Sequence, residues 1–85
     1  MKLDELRKKI DDVDAEICAL LARRFDLAKE IGKAKLQAGA DVENKSRERV
    51  VLERVRANLP DEYKDYAEKV FLLLIEESKD LQRKL

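Results

Sequence analysis

Seven side chains stand at or beside apolar helix faces with no evident packing role: Arg7, Arg24, Lys35, Arg47, Glu48, Ser78 and Gln82. The set holds four cations, one carboxylate and two neutral hydrogen-bonding groups. None is an obvious nucleophile, and the absence of His excludes Ser-His-Asp and Cys-His centres. This inventory suits a small polyanion, most simply a dicarboxylate, because guanidinium forks match carboxylates. It does not suggest acid–base hydrolysis. Arg24 is the sharpest case. Leu20 and Leu27 lie one turn to either side, and a guanidinium buried there is costly unless it meets an anion. An internal ion pair would also satisfy it, as would a stem lying along the seam with its head in water. Each of the others has a plainer alternative. Arg7 fits a solvated flank. Arg47 and Glu48 fit a surface pair near a helix start, where Glu suits the dipole. Ser78 and Gln82, four residues apart, either bond each other and fix register or point at a ligand.

The elements that position these groups follow from the apolar period. Leu3, Leu6, Ile10, Val13, Ile17, Leu20, Leu27, Ile31 and Ala34 step by alternating threes and fours, with Arg24 the one polar occupant of the seam. That is a heptad pattern and predicts one long helix, roughly Leu3 to Gln37, about 50 Å in length. Gly39 supplies the stop. A loop from Ala38 to about Glu43 follows, without a glycine-rich phosphate cradle. A second, short helix starts near Asn44 or Ser46, either of which can cap it, and carries Val51, Leu52, Val55 and Leu59 up to the break at Pro60. A third, of medium length, runs from about Asp61 towards Leu85 with Ala67, Val70, Phe71, Leu74, Ile75 and Leu81 as its apolar positions. Gly32, inside the first helix, costs about 1 kcal/mol against Ala, which suggests close approach of another helix. Cys18 lies outside the seam and is assigned no role.

Distance constrains how the cations meet. Arg7 and Lys35 flank the same seam 28 residues apart, about 42 Å along a straight helix, so one small ligand cannot touch both from one chain. In an antiparallel pair of long helices crossing near Ile17, Arg7 of one chain would fall opposite residue 27 or so of the other, between Arg24 and Lys35. An 85-residue chain also has little core, and a long seam is more than two shorter helices cover. The expected architecture is all-α, with three helices per chain in an intertwined homodimer and residues 1–85 forming a single domain. A monomeric three-helix bundle is the alternative.

Composition removes whole classes of function. With 19 Lys+Arg against 19 Asp+Glu the formal charge is zero, which argues against nucleic-acid binding. One Cys and no His make zinc, haem and iron–sulfur sites unexpected, so no metal is assigned. Cys18 cannot close an internal disulfide, and nothing implies an oxidising compartment. The opening Met1-Lys2-Leu3-Asp4-Glu5 does not read as a signal peptide, and no run approaches the ~18 apolar residues of a membrane span. A cytoplasmic protein without membrane attachment is expected.

The string Leu6-Arg7-Lys8-Lys9-Ile10-Asp11, then Asp14, then Leu20-Leu21-Ala22-Arg23-Arg24, resembles the first helix of the all-helical chorismate mutases, as does Ile31-Gly32-Lys33-Ala34-Lys35. Val42-Glu43-Asn44-Lys45-Ser46-Arg47-Glu48-Arg49 resembles the start of that family's second helix, and Leu74-Ile75-Glu76-Glu77-Ser78 with Gln82 its third. The resemblance spans nearly the whole chain in order. It implies an intertwined dimer with two equivalent sites that rearranges chorismate to prephenate without a cofactor. By that resemblance Arg7 comes from the partner subunit to a substrate carboxylate, and Arg24 holds a carboxylate from within the chain. Lys35 and Gln82 address the ether oxygen, and Glu48 accepts from the ring hydroxyl with help from Asn44. Arg47 and Ser78 complete the carboxylate contacts and their support, and Ala28, Ile31 and Ile75 form an apolar wall. Two positions depart from the family pattern. Asn44 stands where some members carry Asp, and Lys79 follows Ser78 where an apolar residue is common. A Lys79 head that entered the site would add a cation there; the expectation is that its stem carries the charge outward. Two other readings fit the residues: an isochorismate pyruvate lyase of the same fold, and a non-catalytic helical dimerisation module in which Arg24 is satisfied internally.

Overall fold

The computed structural model describes residues 2–85. Met1, counted in the expected domain 1–85, lies outside the described residues. Three helices follow one another: α1 (Lys2–Ala38), α2 (Lys45–Ala57) and α3 (Asp61–Arg83). No strand occurs among the described residues. α1 has 37 residues, and its length sets the 56 Å long dimension of the molecule. α3 packs against both α1 and α2 and is the shared partner of the two.

Local chemistry sets each boundary. α1 ends in a Schellman motif: Gly39 adopts φ +67, its N–H reaches the Leu36 carbonyl, and the Ala40 N–H reaches the Lys35 carbonyl at 2.9 Å. The positive φ is the reason for glycine at this position. Of the two candidate caps for α2, Asn44 performs the task, accepting from the Arg47 N–H at 3.1 Å. Pro60, extended at ψ 150, separates α2 from α3 and sits at the N-cap of the latter.

The packing face of α1 differs from the seam read in the sequence. Leu21, Phe25, Ala28, Gly32 and Lys35 turn towards the other helices, one row beside the heptad seam. Leu3, Leu6, Ile10, Val13, Ile17 and Leu20 are each between 47% and 61% exposed. The amino-terminal half of α1 is exposed, and nothing among the described residues covers that stripe. Ala28 and Gly32 face α3 because the approach is close. A Cβ built on Gly32 would stand 2.6 Å from Leu85 Cδ1 and 2.9 Å from Gln82 Cγ. The third-helix expectation also needs revision at Val70, which is 58% exposed and forms an outer apolar row with Tyr63, Tyr66 and Leu73. The inner face of α3 is instead Phe71, Leu74, Ile75, Ser78, Lys79 and Gln82, of which the last four are buried.

Candidate active site

The carboxy-terminal half of α1, the start of α2 and the end of α3 enclose a cavity of about 290 Å³. Ten of the eleven residues singled out in the sequence line it: Arg24, Ala28, Ile31, Lys35, Asn44, Arg47, Glu48, Ile75, Ser78 and Gln82. Three helices contribute, and no two of them alone would bring this set together. Arg7 is absent from it. It lies on the exposed part of α1, 17 residues before Arg24 and so about 25 Å away along the helix, and pairs loosely with Asp4 at 3.8 Å.

Each polar group is oriented by a specific contact. Arg24 Nη1 donates to Ser78 Oγ at 2.8 Å, and Ser78 in turn donates to the Leu74 carbonyl at 2.7 Å. The guanidinium also lies over the Phe71 ring, 5.9 Å from its centroid. Arg24 therefore meets a hydroxyl and an aromatic face rather than a carboxylate. Lys35, at the last turn of α1, donates to the Val42 carbonyl at 2.6 Å, so the loop after the Schellman turn holds its ammonium in place. Gln82 Nε2 donates to the Ala28 carbonyl at 3.0 Å. That bond fixes the amide's orientation, since the reverse would set oxygen against oxygen. The second N–H of Nε2 remains available. Oε1 is buried without a hydrogen-bond partner among the described residues. Ser78 and Gln82 do not bond each other, contrary to one of the two arrangements expected from their spacing.

Asn44 is more constrained than its type suggested. Its Oδ1 accepts from the Arg47 N–H and from Ser46 Oγ at 2.9 Å. Its acceptor is thus engaged by the helix cap, and the amide N–H groups are what it can offer a ligand.

Lys79 departs from the outward course expected of it and takes the inward alternative. Its head does not leave the molecule: the residue is 7% exposed and lines the cavity. The reason is electrostatic. Glu76, Glu43 and Glu48 place oxygens 2.9, 3.0 and 3.3 Å from its Nζ, and these contacts hold the ammonium well above the usual lysine range despite burial. Reciprocally, the hydrogen bond and charge of Lys79 pull Glu43 below the usual glutamate value. Glu48 therefore pairs with Lys79 rather than with its neighbour Arg47. The other lining residues that the sequence did not assign to a site are Leu27, Val42 and Val51, all apolar. Leu27 and Val51 belong to the apolar periods of α1 and α2.

The charge balance follows. Among the described residues, Arg24, Lys35 and Arg47 make no ion pair, while Glu48 is already matched by Lys79. The cavity offers three unneutralised cations above an apolar wall of Leu27, Ala28, Ile31, Val51 and Ile75. Its chemistry is that of a receptor for a small, partly apolar dianion.

The family model for type II chorismate mutase matches residues 6–83. The chain belongs to the type II chorismate mutase family. Among its relatives, the chorismate mutase of Methanocaldococcus jannaschii is 38% identical over 84 residues, covering 96% of this chain and 85% of that protein. The intracellular chorismate mutase of Mycolicibacterium smegmatis is 42% identical over 66 residues, covering 78% of this chain and 64% of its own. The match to the bifunctional chorismate mutase/prephenate dehydratase of Escherichia coli is 43% over 77 residues and covers 86% of this chain but 19% of that one. The chorismate mutase match thus spans all three helices and every lining residue of the cavity. No described helix is long and apolar enough to cross a membrane.

Proposed function

We propose that the chain is a chorismate mutase whose site is the cavity between α1, α2 and α3. One observation carries the reading: three cations without carboxylate partners converge on an apolar-walled cavity in a chain of this family. Chorismate is a dianion with a flexible side chain, and its conversion to prephenate is an intramolecular pericyclic shift. The task is to fold the side chain over the ring and to stabilise charge gathering on the ether oxygen. The reaction itself calls for neither nucleophile nor cofactor.

In this reading Arg24, steadied by Ser78 and Phe71, takes one carboxylate, with Arg47 in support. Lys35 and the free N–H of Gln82 donate to the ether oxygen. Glu48 accepts from the ring hydroxyl and Asn44 donates nearby. Ala28, Ile31 and Ile75 pack against the ring.

The active form is a homodimer with shared sites. Leu3, Leu6, Ile10, Val13, Ile17 and Leu20 form an exposed apolar stripe on α1, and Tyr63, Tyr66, Val70 and Leu73 form another on α3. A second copy whose α1 runs antiparallel would cover the first stripe and carry Arg7 to the substrate's second carboxylate. We place the protein in the cytoplasm, in keeping with its single free thiol and with the intracellular naming of mycobacterial relatives.

The deciding assay follows chorismate by ultraviolet absorbance with purified protein and no added metal or cofactor. Saturable loss with prephenate as product is expected. Absence of loss above background in a folded dimer would overturn the reading. Salicylate formed from isochorismate instead would mark the lyase.

A further inference from the structure

Lys79 is the only buried lysine among the described residues, and it touches three carboxylates that are not equivalent. Glu43 and Glu76 have side chains 44% and 63% exposed, and neither lines the cavity. Glu48 is 25% exposed and does line it. The contact from Lys79 Nζ goes to Glu48 Oε2, which leaves Oε1 free of that contact on a residue that lines the cavity. Lys79 itself reaches this point because Glu43, on the loop after α1, and Glu76, one turn back on α3, hold the ammonium from two further directions.

A carboxylate in a receptor for a dianion poses a problem. It repels the ligand as a whole while being asked to accept from one of its hydroxyls, and a free glutamate rotates among several rotamers. An ammonium bonded to one oxygen answers both difficulties. It cancels the charge seen by the dianion and leaves a single oxygen in a fixed direction.

We propose that Lys79 is a positioning residue for Glu48: it pins one carboxylate oxygen, presents the other to the substrate's ring hydroxyl, and offsets the glutamate's charge towards a dianionic substrate. The proposal rests on the mutase reading and on the role given there to Glu48. Lys79 thereby contributes to recognition of the ring hydroxyl without touching it.

The test compares chorismate with the analogue carrying hydrogen in place of the ring hydroxyl, in the wild type and in Glu48→Gln, Lys79→Met, Glu76→Gln and the double variant Glu48→Gln/Lys79→Met. Lys79→Met is expected to lower kcat/KM for both dianions through the uncovered Glu48 charge, and for chorismate about tenfold more than for the analogue, as loss of one charge-assisted contact predicts. The double variant should lose no more than Glu48→Gln alone, because the two residues act as one unit. Glu76→Gln, which leaves Glu43 and Glu48 on the ammonium, should lose less of the hydroxyl preference than Lys79→Met. Equal losses on both substrates in Lys79→Met, with Glu48→Gln still selective, would overturn the proposal and leave the Glu48 assignment standing. Equal losses in Glu48→Gln as well would overturn the assignment and the proposal with it. Circular dichroism accompanies each variant. Where Lys79→Met does not fold, Lys79→Gln carries the same comparison, and a hydroxyl preference equal to wild type would overturn the proposal.

Discussion

Arg24 Nη1 and Ser78 Oγ lie 2.8 Å apart, joining α1 to α3 across 54 residues of chain. Ser78 spends its own proton on the Leu74 carbonyl, so its oxygen is free to accept. The pair gives a half-buried guanidinium a fixed direction without neutralising it.

Ser78→Ala should therefore cost activity more than fold. The lost contact is worth about 1–1.5 kcal/mol, or roughly a tenfold fall in kcat/KM for chorismate. Arg24→Ala, which removes the cation itself, should fall by a further factor of ten or more at similar helicity. Steady-state kinetics beside a thermal melt separate the two. A Ser78→Ala enzyme with wild-type kcat/KM would remove the hydroxyl from the argument.

Gln82→Glu should make turnover acid-dependent. The position faces the Ala28 carbonyl at 3.0 Å and must donate to serve the ether oxygen. A carboxylate cannot donate, whereas its protonated form can. The rate should rise as pH falls through the introduced group's pKa. A flat profile from neutral to acid would count against donation at this position.

Gly32→Ala tests whether close helix approach positions Gln82. Alanine ordinarily gains about 1 kcal/mol over glycine inside a helix. Here the added methyl meets Leu85 Cδ1, which can swing aside, and Gln82 Cγ at 2.9 Å and Cβ at 3.2 Å, which can yield only if α3 moves. The melting temperature should change little while kcat falls at least tenfold, since small displacements in a site are costly. Wild-type kcat in this variant would show that the amide tolerates the shift.

Mixing two inactive variants tests the shared site. Arg7→Ala removes the arm expected from the partner, and Lys35→Ala removes a donor worth about 3–4 kcal/mol within the cavity. Random reassembly of the two would restore one intact site in each mixed dimer, about a quarter of wild-type activity. No recovery after subunit exchange, verified by mass, would place Arg7 outside the site.

Acid should weaken the fold partly through Glu43. Lys79 holds its carboxyl below the usual value of 4.5. A depressed folded pKa contributes stability that is present above the unfolded value and lost as pH falls through the folded one. The melting temperature should decline below about pH 4.5, and the Glu43→Gln variant should show a shallower decline. Identical slopes would assign the acid limb to other carboxylates, of which Asp61, lowered by Lys64, is the next candidate.

Helices, boundaries and most lining residues were legible in the sequence because they depend on local rules. The three-four alternation marks α1, Gly39 and Pro60 mark its end and the α2–α3 break, and Asn44 is a capping type in a capping place. Arg24, Lys35, Glu48 and Gln82 stood out because each breaks an apolar pattern or borders one. Tertiary structure decided what no period encodes. It selected the row of α1 beside the heptad seam for contact with α3, because Ala28 and Gly32 allow an approach that larger seam residues would block. It turned Lys79 inward, because three carboxylates from the loop, α2 and α3 converge on one point only after the chain has folded. It also gave Ser78 to Arg24 rather than to Gln82, a choice between partners 54 and 4 residues away that spacing along one helix cannot make.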